Sequence, residues 1–164
     1  MSHSLTCIWI HAIFGTKFRN SLILPEFELE LHAHITMQLE EDLSCRVRVV
    51  NGTGDHVHVL FLLNPNFAVK DILKNVKGES SHWVNQESFT HRKFAWQIGY
   101  AAYSVSESSL FAVEKYIRNQ KEHHRKKPFL EECQEIAREH GLQFPPETVE
   151  TVSGSASSSF APHG

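Results

Sequence analysis

Apolar and polar positions alternate near the start of the chain. Ile8, Ile10, Ala12 and Phe14 share one parity inside residues 5–14, a β-branched and aromatic stretch that predicts a strand. Residues 15–21 read as a loop. Pro25 stands where a helix can begin, and acidic residues crowd the turns after it. Phe27, Leu31, His34, Ile35, Met37 and Leu39 then recur at roughly helical spacing, so a first helix covers about 25–43. Residues 45–50 alternate again, Asn51-Gly52-Thr53-Gly54-Asp55 is a turn cluster, and a second run follows over 56–63, which together predict a hairpin. Val69, Ile72, Leu73, Val76 and Trp83 mark a second amphipathic helix. An irregular stretch over 89–97 leads to a fourth strand at 99–106. Leu110, Val113 and Ile117 form the apolar stripe of a third helix over about 107–126, which Pro128 interrupts. A short fourth helix over about 128–140 ends at Gly141, a residue suited to a helix C-terminus.

The order strand, helix, strand, strand, helix, strand, helix, helix predicts an α+β fold. It is a ferredoxin-like (RNA-recognition-like) sandwich, with a mainly antiparallel sheet of four to five strands and helices on one face. Periodicity stops beyond Pro145, and residues 153–164 carry no charged side chain. The expected organisation is one domain over 1–145 and a disordered tail over 146–164.

Composition narrows the function classes only a little. The 164 residues are 41% hydrophobic and 21% charged, an ordinary globular balance. Sixteen Lys+Arg face 19 Asp+Glu, a formal net charge of −3 that argues against a highly basic nucleic-acid coat protein. The sum hides a division. Residues 1–127 carry 15 basic and 13 acidic side chains, whereas 128–164 carry one and six. Cys7, Cys45 and Cys133 are far apart and form no C-x-x-C pair, so neither a disulfide framework nor a cysteine zinc site is indicated. With no signal-like N-terminus and no apolar run long enough to span a bilayer, the expectation is a soluble, cytoplasmic protein without membrane association.

Two segments carry candidate chemistry. In Gly54-Asp55-His56-Val57-His58-Val59-Leu60, the two histidines lie two apart on a strand and project from one face, where two imidazoles can chelate one divalent cation. Alone, such a pair is more often two polar surface residues, and two ligands do not close a metal site. Tyr116 and Gln120 are four apart on the third helix, with His123 continuing their row beside the apolar stripe. Between residues 112 and 127 there are six basic and two acidic side chains. A tyrosine in such a field is suited to attack a phosphodiester, because its phenol needs cations to stabilise the phenolate and the developing phosphorane charge. The plain alternatives are an amphipathic boundary tyrosine and a solvated helix end.

Taken together, these motifs resemble the single-tyrosine HUH transposases, small single-stranded-DNA transposases of minimal insertion sequences, and their repeat-associated tyrosine transposase relatives. The resemblance runs through Gly54 to Leu60, Lys77-Gly78-Glu79-Ser80-Ser81, the stretch from Phe94 to Ser106, Tyr116-Ile117-Arg118-Asn119-Gln120 and His123-His124-Arg125-Lys126. It covers roughly residues 5–142. It implies that Tyr116, on a C-terminal helix, is the nucleophile that cleaves and rejoins single-stranded DNA at element ends through a 5′-phosphotyrosine link. It also implies that His56, His58 and Gln120 hold Mg²⁺ or Mn²⁺, and that the chain forms a homodimer on DNA with hairpin ends. Arg46, Arg48, Lys74, Lys77, Arg92, Lys93, Arg118, Lys121 and Arg125 are the candidate DNA contacts. The family's aromatic motif after the fourth helix is replaced here by Phe144-Pro145-Pro146 and a Ser-rich stretch. A domesticated or inactive hairpin-binding module on the same fold is the alternative. A zinc hydrolase on His56 and His58 is weaker, since it needs a third ligand and a base, and strand alternation sends Asp55 to the other face.

Overall fold

A computed structural model describes residues 3–143; the segment over 144–164, with its expected tail, lies outside the described residues. Four strands form the sheet: β1 (Trp9–Gly15), β2 (Val47–Gly52), β3 (His56–Leu62) and β4 (Ala101–Val105). Their order is β2-β3-β1-β4 and every neighbouring pair is antiparallel. Helix α1 (Glu28–Met37) connects β1 to β2 and ends in a wider π turn (Gln38–Asp42), while α2 (Val69–Glu87) connects β3 to β4. This is the expected ferredoxin-like α+β sandwich, with four strands.

Register places Ala12 opposite Val59 and Phe14 opposite Val57, so one sheet face presents Ile10, Ala12, Phe14, Val57, Val59 and Phe61. They bury against Leu31 and Ile35 of α1 and Ile72, Leu73 and Val76 of α2. Each large side chain sealed there contributes about 1.5–3 kcal/mol relative to exposure. The hairpin between β2 and β3 depends on Gly52. A Cβ there would fall 2.0 Å from the His56 carbonyl oxygen, so no larger residue fits without opening the turn.

The second sheet face is also covered, beyond the one-sided packing expected from the pattern. Helix α3 (Leu110–Arg118) packs Leu110 and Ile117 on Trp9, Val49 and Leu60. Helix α5 (Phe129–Glu139) packs Phe129, Cys133 and Ile136 on Ile13 and Tyr103. The single helix expected over 107–126 is broken. A 3₁₀ turn (Glu107–Ser109) precedes α3, and α4 (Gln120–Lys126) starts anew after Asn119. The break has a cause in the sheet. The Asn51 side chain on β2 donates to the carbonyls of Ile117 (2.9 Å) and Arg118 (3.0 Å), taking up acceptors that a continuing helix would use.

Candidate active site

The site lies on the second face, between β1, β3 and the helices after β4. His56 and His58 alternate with Val57 and Val59 on β3, so the residues that build the core on one side hold two buried imidazoles on the other. Each ring is fixed through Nδ1. For His56, the Asp55 carboxylate lies 2.7 Å from Nδ1 and the Thr53 hydroxyl 2.9 Å. For His58, the partner is His11 Nε2 at 2.8 Å. Both Nε2 atoms therefore turn to a common space, the arrangement in which outer partners orient metal-ligating histidines.

Tyr116 and Gln120 reach that space from consecutive helices. Gln120 Oε1 is 3.1 Å from His56 Nε2, and the Tyr116 ring meets the His58 ring edge-on at 5.9 Å between centroids. His123 continues the row, with its ring 4.7 Å from that of Tyr116. The expected quartet of His56, His58, Tyr116 and Gln120 is thus brought together within one chain, although the helix between its last two members is interrupted.

A fifth residue, which the spacing of motifs does not reveal, binds the others. Glu132 on α5 is buried; its Oε1 is 3.0 Å from His58 Nε2, accepts 3.1 Å from Gln120 Nε2, and takes a short hydrogen bond from the Tyr116 hydroxyl. Ligand atoms of His56, His58 and Glu132 all lie within 4.8 Å of one another. Glu132 Oε2 is buried without a hydrogen-bond partner among the described residues, and His58 Nε2 meets Glu132 Oε1 at 3.0 Å outside hydrogen-bond geometry, which fits donors prepared for a cation. Asp55 also departs from expectation. It precedes the strand rather than alternating within it, and curls back onto the Nδ1 of His56 while pairing with Arg19 at 3.0 Å.

Electrostatics favour the same role. Burial lowers the pKa of His58, and burial together with the neighbouring His58 lowers that of His11, so both are neutral near pH 7 and able to act as acceptors or ligands. Burial raises the pKa of Glu132, but contact with His58 and the bond from Tyr116 outweigh it and hold the carboxyl down at about 2. Burial and the adjacent carboxylate push the Tyr116 phenol above its ordinary range, so it stands as a proton donor to Glu132. Beside the cluster, a cavity of about 290 Å³ is lined by His11, Tyr116, His123, Lys127 and Glu132.

The candidate DNA contacts fall into separate groups. Arg48 and Arg118 both pair with Glu114, Lys121 pairs with Glu28, and Arg125 lies 3.4 Å from Glu122. The basic run around Tyr116 is therefore largely partnered by acids. Lys77 donates to the carbonyls of Gln97 and Gly99 at 2.7 and 2.6 Å, and its burial lowers its pKa to about 8. Arg46, Lys74, Arg92 and Lys93 are exposed.

Comparison with known proteins agrees with this architecture. Over 115 residues the chain is 26% identical to the ISDra2 transposase TnpA of Deinococcus radiodurans, covering 67% of this chain and 81% of the relative. A crystal structure of a candidate transposase from Deinococcus radiodurans R1 superposes with a TM-score of 0.58 at 23% identity, covering 73% of this chain and 95% of the other. A REP-associated tyrosine transposase bound to a REP hairpin gives a TM-score of 0.55 at 13% identity, covering 76% and 74%. At these identities the two structures share the fold. The family model described as "Transposase IS200 like" matches residues 4–120, most of the chain and all of the sheet, and the chain belongs to the IS200-like transposase family.

Proposed function

We propose that this transposase cleaves and rejoins single-stranded DNA, with the Tyr116 hydroxyl attacking a scissile phosphodiester. The new bond joins the tyrosine oxygen to phosphorus as a 5′-phosphotyrosine, and the leaving oxygen departs as a free 3′-OH that can later reverse the step. The observation that carries this reading is the convergence of half-buried Tyr116 with buried Gln120, His56, His58 and Glu132 in one cluster. Glu132 accepts the hydrogen bond that orients the Tyr116 hydroxyl, and Asp55 and His11 keep both imidazoles presenting Nε2.

His56 and His58, with Gln120 and the carboxylate of Glu132, would hold a divalent cation that polarises the phosphate and supplies charge stabilisation. Two imidazoles with oxygen donors suit Mn²⁺ better than Mg²⁺, which prefers oxygen alone. The partner is single-stranded DNA with hairpin ends, in keeping with the hairpin held by the REP-associated relative. β4 lies at the edge of the four-stranded sheet, which makes its open side the candidate seam of a homodimer. A hairpin-binding module without cleavage activity would share the fold and the partner, and cleavage separates the two readings.

The test uses labelled hairpin-forming oligonucleotides drawn from the DNA flanking the gene. Wild type with Mn²⁺ should give strand cleavage and a covalent adduct. Tyr116→Phe should give neither, and EDTA should suppress both. Adduct formation by the Phe variant would assign the chemistry elsewhere, and absence of cleavage by wild type on the hairpin it binds would favour the binding module.

A further inference from the structure

A second feature stands beside the catalytic cluster and is not used by it. Between β1 and α1 the turn Lys17–Arg19 places two consecutive non-glycine residues in the left-handed region, with φ of 56° at Phe18 and 53° at Arg19. Side chains other than glycine rarely adopt this conformation, and it persists only where surrounding contacts impose it. Those contacts are present. Thr16 N donates to the Asp55 carbonyl at 2.8 Å, Lys17 N donates to the Ala95 carbonyl at 2.9 Å, and the Arg19 guanidinium pairs with the Asp55 carboxylate.

The result is an outward-held phenyl ring. Phe18 is 53% exposed, with Lys17 Nζ 5.4 Å from its centroid. It borders a cavity of about 300 Å³ shared with Lys17, Asn20, Leu22, Arg92 and Lys93. Lys17, Arg92 and Lys93 are exposed and, among the described residues, pair with no acid, unlike most of the cations around Tyr116. A rigid aromatic face among unpartnered cations combines the two elements of a single-strand binding site, stacking for a base and charge for the backbone on either side.

We infer that Phe18 is the stacking platform for one unpaired base of the DNA strand, with Lys17, Arg92 and Lys93 holding the flanking phosphates. The turn is bolted through Arg19 to Asp55, the residue that orients His56, so a base seated on Phe18 sets the strand at a fixed offset from the catalytic cluster. The inference rests on the nucleic-acid reading above and adds the place where a base is recognised.

The experiment is done on Tyr116→Phe protein, so that no chemistry enters, with a fluorescein-labelled single strand carrying one 2-aminopurine at successive positions. At one position the 2-aminopurine emission should be quenched on binding. Phe18→Ala should abolish that quenching and weaken binding about 10-fold, while Phe18→Tyr should retain both. Phe18→Gly relieves the left-handed strain, so it should melt no lower than the parent and still bind weakly, which separates loss of stacking from loss of fold. Quenching and affinity indifferent to Phe18 would overturn the inference while leaving the tyrosine chemistry standing. Phe18-dependent quenching without any wild-type adduct would support the inference and overturn the chemistry instead.

Discussion

The two faces of the β1–β3 pair are built from alternate residues of the same strands, yet they do different work. On one face Phe14, Val57, Val59 and Phe61 meet α1 and α2, and the contact is mainly apolar. On the other, His11, His56 and His58 occupy equally buried positions beneath α3 and α5, where every imidazole needs a polar partner and finds one in Asp55, Gln120, Glu132 or another histidine. The first face supplies folding free energy. The second keeps buried polar groups in fixed geometry because a stable opposite face can carry that cost.

The largest effects should separate the faces completely. Phe61→Ala on the apolar side should cost about 3–5 kcal/mol, read as a lower urea midpoint with an unchanged slope. His58→Ala on the other side should leave a cooperative unfolding transition but reduce adduct formation by ~100-fold or more. If His58→Ala unfolds the protein as readily as Phe61→Ala, the division of labour between the faces is wrong.

Acid should weaken the metal-free protein over a defined window. His32, His11 and His58 have folded pKa values depressed by burial, with His32 lowered to about 4. Their unfolded counterparts protonate near ~6.5, so stability is fully present above that pH and falls as pH drops through the folded values. His32 alone accounts for up to ~3 kcal/mol between pH 6.5 and 4, and His32→Gln should flatten that part of a pH series of urea midpoints. Because burial keeps the His58 imidazole neutral and free to take a ligand, Mn²⁺ should raise the melting temperature at pH 7.5.

A smaller effect is expected one step out from the cluster. Asp55→Asn removes the carboxylate that fixes His56, and should weaken Mn²⁺ binding in titration calorimetry about 10- to 100-fold without loss of fold. Smallest of all, Arg118→Ala breaks an exposed pair with Glu114 and should change stability by less than about 1 kcal/mol.

Much of this was legible from residue spacing. The alternation through β1 and β3 and the helical stripes of α1 and α2 predicted the layered sheet, because each face repeats the same demand for burial. His56, His58, Tyr116 and Gln120 stood out as motifs. Glu132 did not, since its signal is different in kind. It is an acid on the apolar stripe of α5, three residues after Phe129 and four before Ile136, where a solvent-facing charge has no place. His11 shows the same sign, a polar residue at an inward strand position between Trp9 and Ile13. The break at Asn119 was hidden because its cause, the Asn51 side chain, comes from a distant strand. Asp55 was misread because strand alternation does not extend into the turn before β3.

The most direct test of the central claim is peptide mass spectrometry of protein incubated with Mn²⁺ and a bound hairpin oligonucleotide, then digested with nuclease and protease. A phosphonucleotide mass is expected on the peptide containing Tyr116, present in wild type and absent from Tyr116→Phe and from wild type treated with EDTA. The same mass on Tyr100 or Tyr103, or its persistence in Tyr116→Phe, would contradict it.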